Sequence, residues 1–200
     1  MGTGNLYNVG YVSSQSISGG TIIGGLYYPS NYTIYKDGST YYTKSNIGDI
    51  SSSTDASCVL QYTIDKLTNG GIIQVMEGTY TFKSSNAVQE SIDVDSDIWL
   101  RGTGYGTKFY MSSCYLKMSN VSNIKLSDIY ISGYYGTWLG ADTYDVSDII
   151  YDNIHITMIS GGNDTTHNHG AFNVYANDKT IDRVTYNNCK VIDCAGFGWY

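Results

Sequence analysis

An all-β fold, a parallel β-helix opened by an N-terminal capping α-helix, is predicted by three observations. Four segments from residue 95 onward align without gaps. Each of them spaces its apolar residues two apart, as a strand with one buried face does. A single stretch of helical periodicity, residues 54–68, stands ahead of them.

The segments begin at Asp95, Val121, Val146 and Ile181, at offsets of 26, 25 and 35 residues. Ile98, Ile124, Ile149 and Val184 share one column, and Leu100, Leu126, Tyr151 and Tyr186 the column two positions later. Ile129, Ile154 and Cys189 make a third, and Ile131, Ile156 and Val191 a fourth. Between the second and third columns the spacing changes from 2 to 3, which marks a corner held by Asp128, Asn153 and Asn188. Side chains of these types satisfy bent backbone and bond along a stack. A unit of about 25 residues cannot bury its apolar face alone, but a stack of such units can. Each buried Ile or Leu then contributes roughly 1.5–3 kcal/mol.

The helix over residues 54–68 has Thr54 or Asp55 to cap its free N–H groups. Val59, Leu60, Ile64 and Leu67 form its apolar face, and Asn69-Gly70-Gly71 stops it. Ile72-Ile73-Gln74-Val75 follows as a strand. Before the helix, residues 1–50 are rich in Gly, Ser and Tyr and lack helical periodicity. There Tyr32-Thr33-Ile34-Tyr35 and Thr40-Tyr41-Tyr42-Thr43 flank Lys36-Asp37-Gly38-Ser39, which reads as a hairpin around an Asp-Gly turn. The domain expectation is a β appendage over residues 1–50, serving attachment, and a parallel β-helix over residues 51–200. The chain stops at Tyr200 inside what reads as another repeat, so the β-helix is expected to be incomplete at its C-terminal end.

Composition agrees with strands and turns. The 200 residues include 23 Gly, 21 Tyr and a single Pro, and Leu, Ala and Glu are scarce. The formal charge is −7, and Arg101 and Arg183 are the only arginines. That balance argues against nucleic acid, whose phosphates need basic patches. No apolar run approaches the length of a membrane span, and no signal peptide is visible. Cys58, Cys114, Cys189 and Cys194 lack metal-type spacing and read as buried free thiols, with a Cys189–Cys194 disulfide left open.

Residues 48–110 resemble the opening of the pectate-lyase-superfamily β-helix domain, found in pectate-lyase-like proteins and phage tailspikes. The matching elements are Gly48-Asp49, Thr54-Asp55-Ala56 with Gln61 and Ile64-Asp65, Gly70-Gly71-Ile72-Ile73, Gly78-Thr79-Tyr80, and Ser96-Asp97-Ile98-Trp99-Leu100-Arg101-Gly102-Thr103-Gly104. Met76-Glu77 departs from the Pro often found there. Residues 111–200 match through the repeat pattern only. The resemblance implies a right-handed parallel β-helix with the helix capping its open end. It also implies polysaccharide as the partner, Ca²⁺ as a cofactor where lyase chemistry is present, and a homotrimer where the chain is a tailspike. It fixes no catalytic residue, because this fold hosts lyases, hydrolases, epimerases and inert adhesins.

Candidate sites come from the places where the repeat is broken or faces outward. The 35-residue offset carries ten extra residues, which map to residues 160–170. Asp164, His167 and His169 lie there, as metal ligands or an acid–base set; a polar surface loop is the plainer reading. Tyr130, His155 and Lys190 share an outward column and form a candidate sugar-binding wall; a solvated strand face is the alternative. Asp93, Asp95 and Asp97 alternate, as oxygen ligands for Ca²⁺ or as paired carboxylates for glycoside hydrolysis; solvated turn residues are the alternative. Trp99, Tyr130, Tyr134, Tyr135 and Trp138 offer flat faces for sugar stacking, or equally an assembly surface. The expected function is therefore to bind or cleave polysaccharide, outside the cell, at its surface or on a virion. A non-enzymatic fibre or adhesin, with the stack as spacer, is the other reading.

Overall fold

The computed structural model describes residues 30–83, 90–112, 114–133, 137–139, 145–157, 171–174 and 180–193. The chain runs β1 (Tyr32–Asp37), β2 (Thr40–Ser45), β3 (Ile50–Ser53), α1 (Ala56–Asp65), β4 (Gly71–Val75), β5 (Gly78–Phe82), β6 (Glu90–Asp93) and β7 (Ile98–Arg101). It continues as β8 (Thr107–Met111), β9 (Cys114–Met118), β10 (Val121–Gly133), β11 (Thr137–Leu139), β12 (Val146–Thr157), β13 (Phe172–Val174), β14 (Ile181–Asn187) and β15 (Lys190–Ile192).

These strands make a mostly parallel, mixed β-sheet with one helix among the described residues, and this overturns the expected right-handed parallel β-helix with its capping helix. The main sheet is ordered β3-β2-β1-β4-β7-β10-β8-β5, with β12 and β14 extending it beyond β10 and β15 paired to β12. β1, β2 and β3 are antiparallel, and β10 holds β7 along its first half and β8 along its second. β6, β9, β11 and β13 form a separate four-stranded parallel sheet. Such a layout is not a solenoid. The physical reason is that a constant sequence offset fixes the register of neighbouring parallel strands, whereas it leaves open how the strands are arranged beyond the neighbour.

Register follows the columns of the repeat. Ile124 pairs with Ile149 and that with Val184; Leu100, Leu126, Tyr151 and Tyr186 pair in succession. Ile73 extends this last row through Leu100. A second inward row runs Tyr80, Phe109, Ile131, Ile156 and Val191. Members of both rows are buried, and the two residues on the outermost strands, Tyr186 and Val191, are half-buried. Tyr151 and Tyr186 stack at 5.1 Å, with Phe172 edge-on to both. Burial raises the Tyr186 phenol to about 12.

The corners are built from left-handed residues. Gly70, Asp97, Asn123, Asp148 and Arg183 all have positive φ and stand one above another across β4, β7, β10, β12 and β14. Asp128, Asn153 and Asn188 form a second such set. Asn and Asp tolerate this conformation best after Gly. Their side chains bond along the row: Asn123 Nδ2 donates to Asp97 Oδ1 at 3.0 Å, Asn153 Nδ2 to Asp128 Oδ1 at 2.8 Å, and Asn188 Nδ2 to Asn153 Oδ1 at 3.1 Å.

The helix is shorter than the expected 54–68. Asp55 caps it, its Oδ1 accepting from Ser57 N–H at 2.9 Å. Beyond Asp65 the chain tightens, with Leu67 N–H donating to the Ile64 carbonyl, and Gly70 turns at φ +74°. Ala56, Val59, Leu60, Thr63 and Ile64 are buried against β2, β3, β5 and β6. Cys114 is buried, but Cys58 on the helix is exposed and Cys189 is half-buried, which corrects the uniform buried-thiol expectation. No helix among the described residues is long and apolar enough to cross a membrane.

Candidate functional site

Alternation turns Ile129, Ile131, Ile154 and Ile156 inward, so the residues between them face out. Lys108 of β8, Tyr130 of β10, His155 of β12 and Lys190 of β15 are consecutive partners across four parallel strands. The structure thus brings Tyr130, His155 and Lys190 into one outward row and adds Lys108 to it. At a strand spacing of about 4.8 Å, the row spans on the order of 14 Å.

Tyr105 completes the patch, and the sequence reading missed it. It lies in the turn between β7 and β8, 62% exposed. Its hydroxyl and His155 Nδ1 are 2.8 Å apart, a hydrogen bond whose direction depends on the imidazole tautomer. Its ring stands edge-on to His155 at 4.7 Å and tilted against Tyr130 at 6.0 Å. A signal for it was present: one aromatic held between Gly104 and Gly106 in a short strand connection. Glycines shape such a turn, and an aromatic there has no core to enter.

The turn is pinned at several points. Thr103 N–H donates to Thr107 Oγ1 at 2.9 Å, Thr107 N–H to the Gly104 carbonyl at 3.0 Å, and Gly78 N–H to the Gly106 carbonyl at 2.8 Å. Gly104 N–H donates to the Asp128 carbonyl at 2.8 Å. Gly104, Tyr105, Ile129, Tyr130, Asn153 and His155 line a recess of only about 10 Å³, so a ligand would lie on this surface rather than inside it.

Other candidates are arranged differently. Asp164, His167 and His169 lie outside the described residues, as do Tyr134 and Tyr135; of Trp138 only the backbone is described. Asp93 and Asp95 border one cavity, and Asp97 does not. Asp93 accepts from Ser91 Oγ at 2.8 Å and faces Lys117 Nζ at 3.7 Å, while Asp97 is bonded into the corner row by Asn123. Burial, with Asp65 and Asp93 nearby, raises the Asp95 carboxyl above its ordinary range. A cavity of about 340 Å³ lies beside Asp93, Asp95 and Lys117. Among the described residues no group of three His, Cys, Asp or Glu side chains could hold a metal.

The aromatic and basic residues of the adjoining face serve one another. Trp99 lies between the Arg101 guanidinium at 5.0 Å and the Lys125 ammonium at 4.9 Å, and its Nε1 donates to Ser127 Oγ at 2.9 Å. Arg101 Nε donates to Gln74 Oε1 at 2.6 Å, and Lys125 pairs with Asp152 at 2.9 Å. Arg183 is held by Asp148 and Asp182. These groups are engaged with one another and with neighbouring strands. Comparison of the chain with protein-family models, with curated proteins and with solved structures finds no match.

Proposed function

We propose that this chain binds polysaccharide on the surface formed by Tyr105, Tyr130 and His155, flanked by Lys108 and Lys190. The observation that carries the reading is the pairing of exposed Tyr105 with His155 at 2.8 Å, set against Tyr130 on the parallel sheet. A sugar offers weakly polar ring faces and hydroxyl edges. Aromatic rings with polar tips match both, and the lysine ammonium groups add hydrogen-bond donors. The resemblance of residues 48–110 supports polysaccharide as the ligand class. A protein with this role would act outside the cell or on a virion.

The test is binding of the full chain to a panel of purified polysaccharides by calorimetry. Wild type is expected to bind at least one member. Tyr105→Ala and Tyr130→Ala are each expected to weaken it about tenfold, the equivalent of 1.4 kcal/mol. Assay of reducing and unsaturated sugar ends on the same panel, with and without Ca²⁺, separates binding from cleavage. Absence of binding to every glycan would sink the proposal.

A further inference from the structure

We infer that Asp128 is the positioning residue of this surface, a conclusion that rests on the surface proposed above. Tyr105 and His155 come from different places: a turn between β7 and β8, and the C-terminal end of β12. Asp128, on β10 between them, is bonded to both. Its backbone carbonyl accepts from Gly104 N–H at 2.8 Å, one residue before Tyr105. Its Oδ1 accepts from Asn153 Nδ2 at 2.8 Å, two residues before His155 and on the same outward side of β12. Gly102 lets the turn come this close, because a Cβ there would overlap the Asp128 carbonyl oxygen and stand 2.9 Å from Thr107 Cβ. The left-handed conformation of Asp128, φ +58°, presents carbonyl and carboxylate to the two neighbours at once.

Asp128 thus cross-links the turn to the strand, and the Tyr105–His155 bond is a consequence of that link. The bonds of Asp128 run to Gly104 and Asn153, so the residue acts through them. A ligand-contacting role is not required of it.

Two substitutions separate the carboxylate from the backbone. Asp128→Gly keeps the left-handed conformation and removes the acceptor for Asn153. Asp128→Asn keeps both the conformation and an Oδ1 acceptor. The measurement is the ring-to-ring nuclear Overhauser contact between Tyr105 and His155 in the full chain, with glycan affinity read beside it. Asp128→Gly is expected to weaken that contact several-fold, and Asp128→Asn to restore it. An unchanged contact in Asp128→Gly, or a lost contact in Asp128→Asn, would overturn the assignment. Should Asp128→Gly fail to fold, Asn153→Gly removes the same bond from the other side and is read by the same criteria. The magnetic-resonance contact needs no ligand, so a panel on which no glycan binds would end the carbohydrate proposal while leaving this one decided.

Discussion

The two ends of the main sheet reach their register by different means. In β1–β3, strands are antiparallel, a two-residue turn at Gly38–Ser39 joins the first pair, and α1 packs on them. Their fixing bonds are particular: Thr63 Oγ1 donates to the Val59 carbonyl at 2.7 Å and lies 2.9 Å from Thr43 Oγ1, and Asp49 Oδ2 accepts from both Tyr32 and Tyr62. In β7, β10, β12 and β14, strands are parallel and far apart in sequence. There the same column residues and the same left-handed corners recur on each strand. Local turns can set register only between chain neighbours. A parallel ladder needs register written into every strand, and the corner rows supply it.

Glycine should reveal this difference most sharply. Gly102 has the Asp128 carbonyl and Thr107 against the place a Cβ would occupy, whereas nothing lies within 4 Å of that place at Gly38. Gly102→Ala must therefore part β7 from β10, at a cost of about 3 kcal/mol, the upper end for overpacking. Gly38→Ala meets only the strain of φ +57°, about 1 kcal/mol. Urea unfolding of both variants measures the gap; equal losses would mean that the close approach at Gly102 is relieved cheaply.

The antiparallel end should break through one buried bond. Thr63 and Thr43 are both fully buried, and Thr63→Val leaves the Thr43 hydroxyl without its partner. About 2 kcal/mol is the expected loss for a buried group left unsatisfied. Replacing both by Val removes the orphan as well, so the double variant should be more stable than Thr63→Val. Additive losses in that double-mutant cycle would show the two hydroxyls to be independent.

The corner rows allow a test in which glycine, usually the poorer residue, becomes the better one. Asn153 sits at φ +55° and bonds to Asp128 and Asn188. Asn153→Ala loses those bonds and adds left-handed strain. Asn153→Gly loses the bonds but adds no such strain. The glycine variant is expected to be the more stable by about 1 kcal/mol. A more stable alanine variant would place the corner outside the left-handed region.

These contrasts explain what the sequence reading reached. The columns of the repeat, Ile124 with Ile149 and Val184, were legible because parallel register preserves side-chain type from strand to strand. The corner at Asp128, Asn153 and Asn188 was legible because few residue types tolerate it. The first corner row was missed because its members, Gly70, Asp97, Asn123, Asp148 and Arg183, differ too much in type. The arrangement of strands beyond the neighbour was misread as a solenoid, since periodic register is common to both layouts. Tyr130, His155 and Lys190 followed from alternation, whereas Tyr105 reaches them through a turn whose path depends on tertiary contacts at Asp128 and Gly78.

The smallest expected effect lies at the exposed end of the first corner row. Arg183 holds a left-handed position, φ +50°, that suits Asn better. Its Nε donates to Asp148 Oδ1 at 2.6 Å and its Nη2 to Oδ2 at 2.7 Å. These bonds hold the Asp148 carboxyl below its ordinary range and raise the guanidinium of Arg183 further above its own. A depressed folded-state value means stability fully present above the unfolded aspartate value and lost as pH falls through the folded one. Both groups are exposed to solvent, so water and salt screen the pair and the contribution stays small. Arg183→Asn removes the pair while easing the backbone. Urea midpoints of wild type and variant should accordingly shift in the variant's favour from near pH 6 to near pH 3, and likewise on adding about 1 M salt at pH 6. A difference that ignores both acid and salt would mean that Arg183 acts on this corner through its backbone and not its charge.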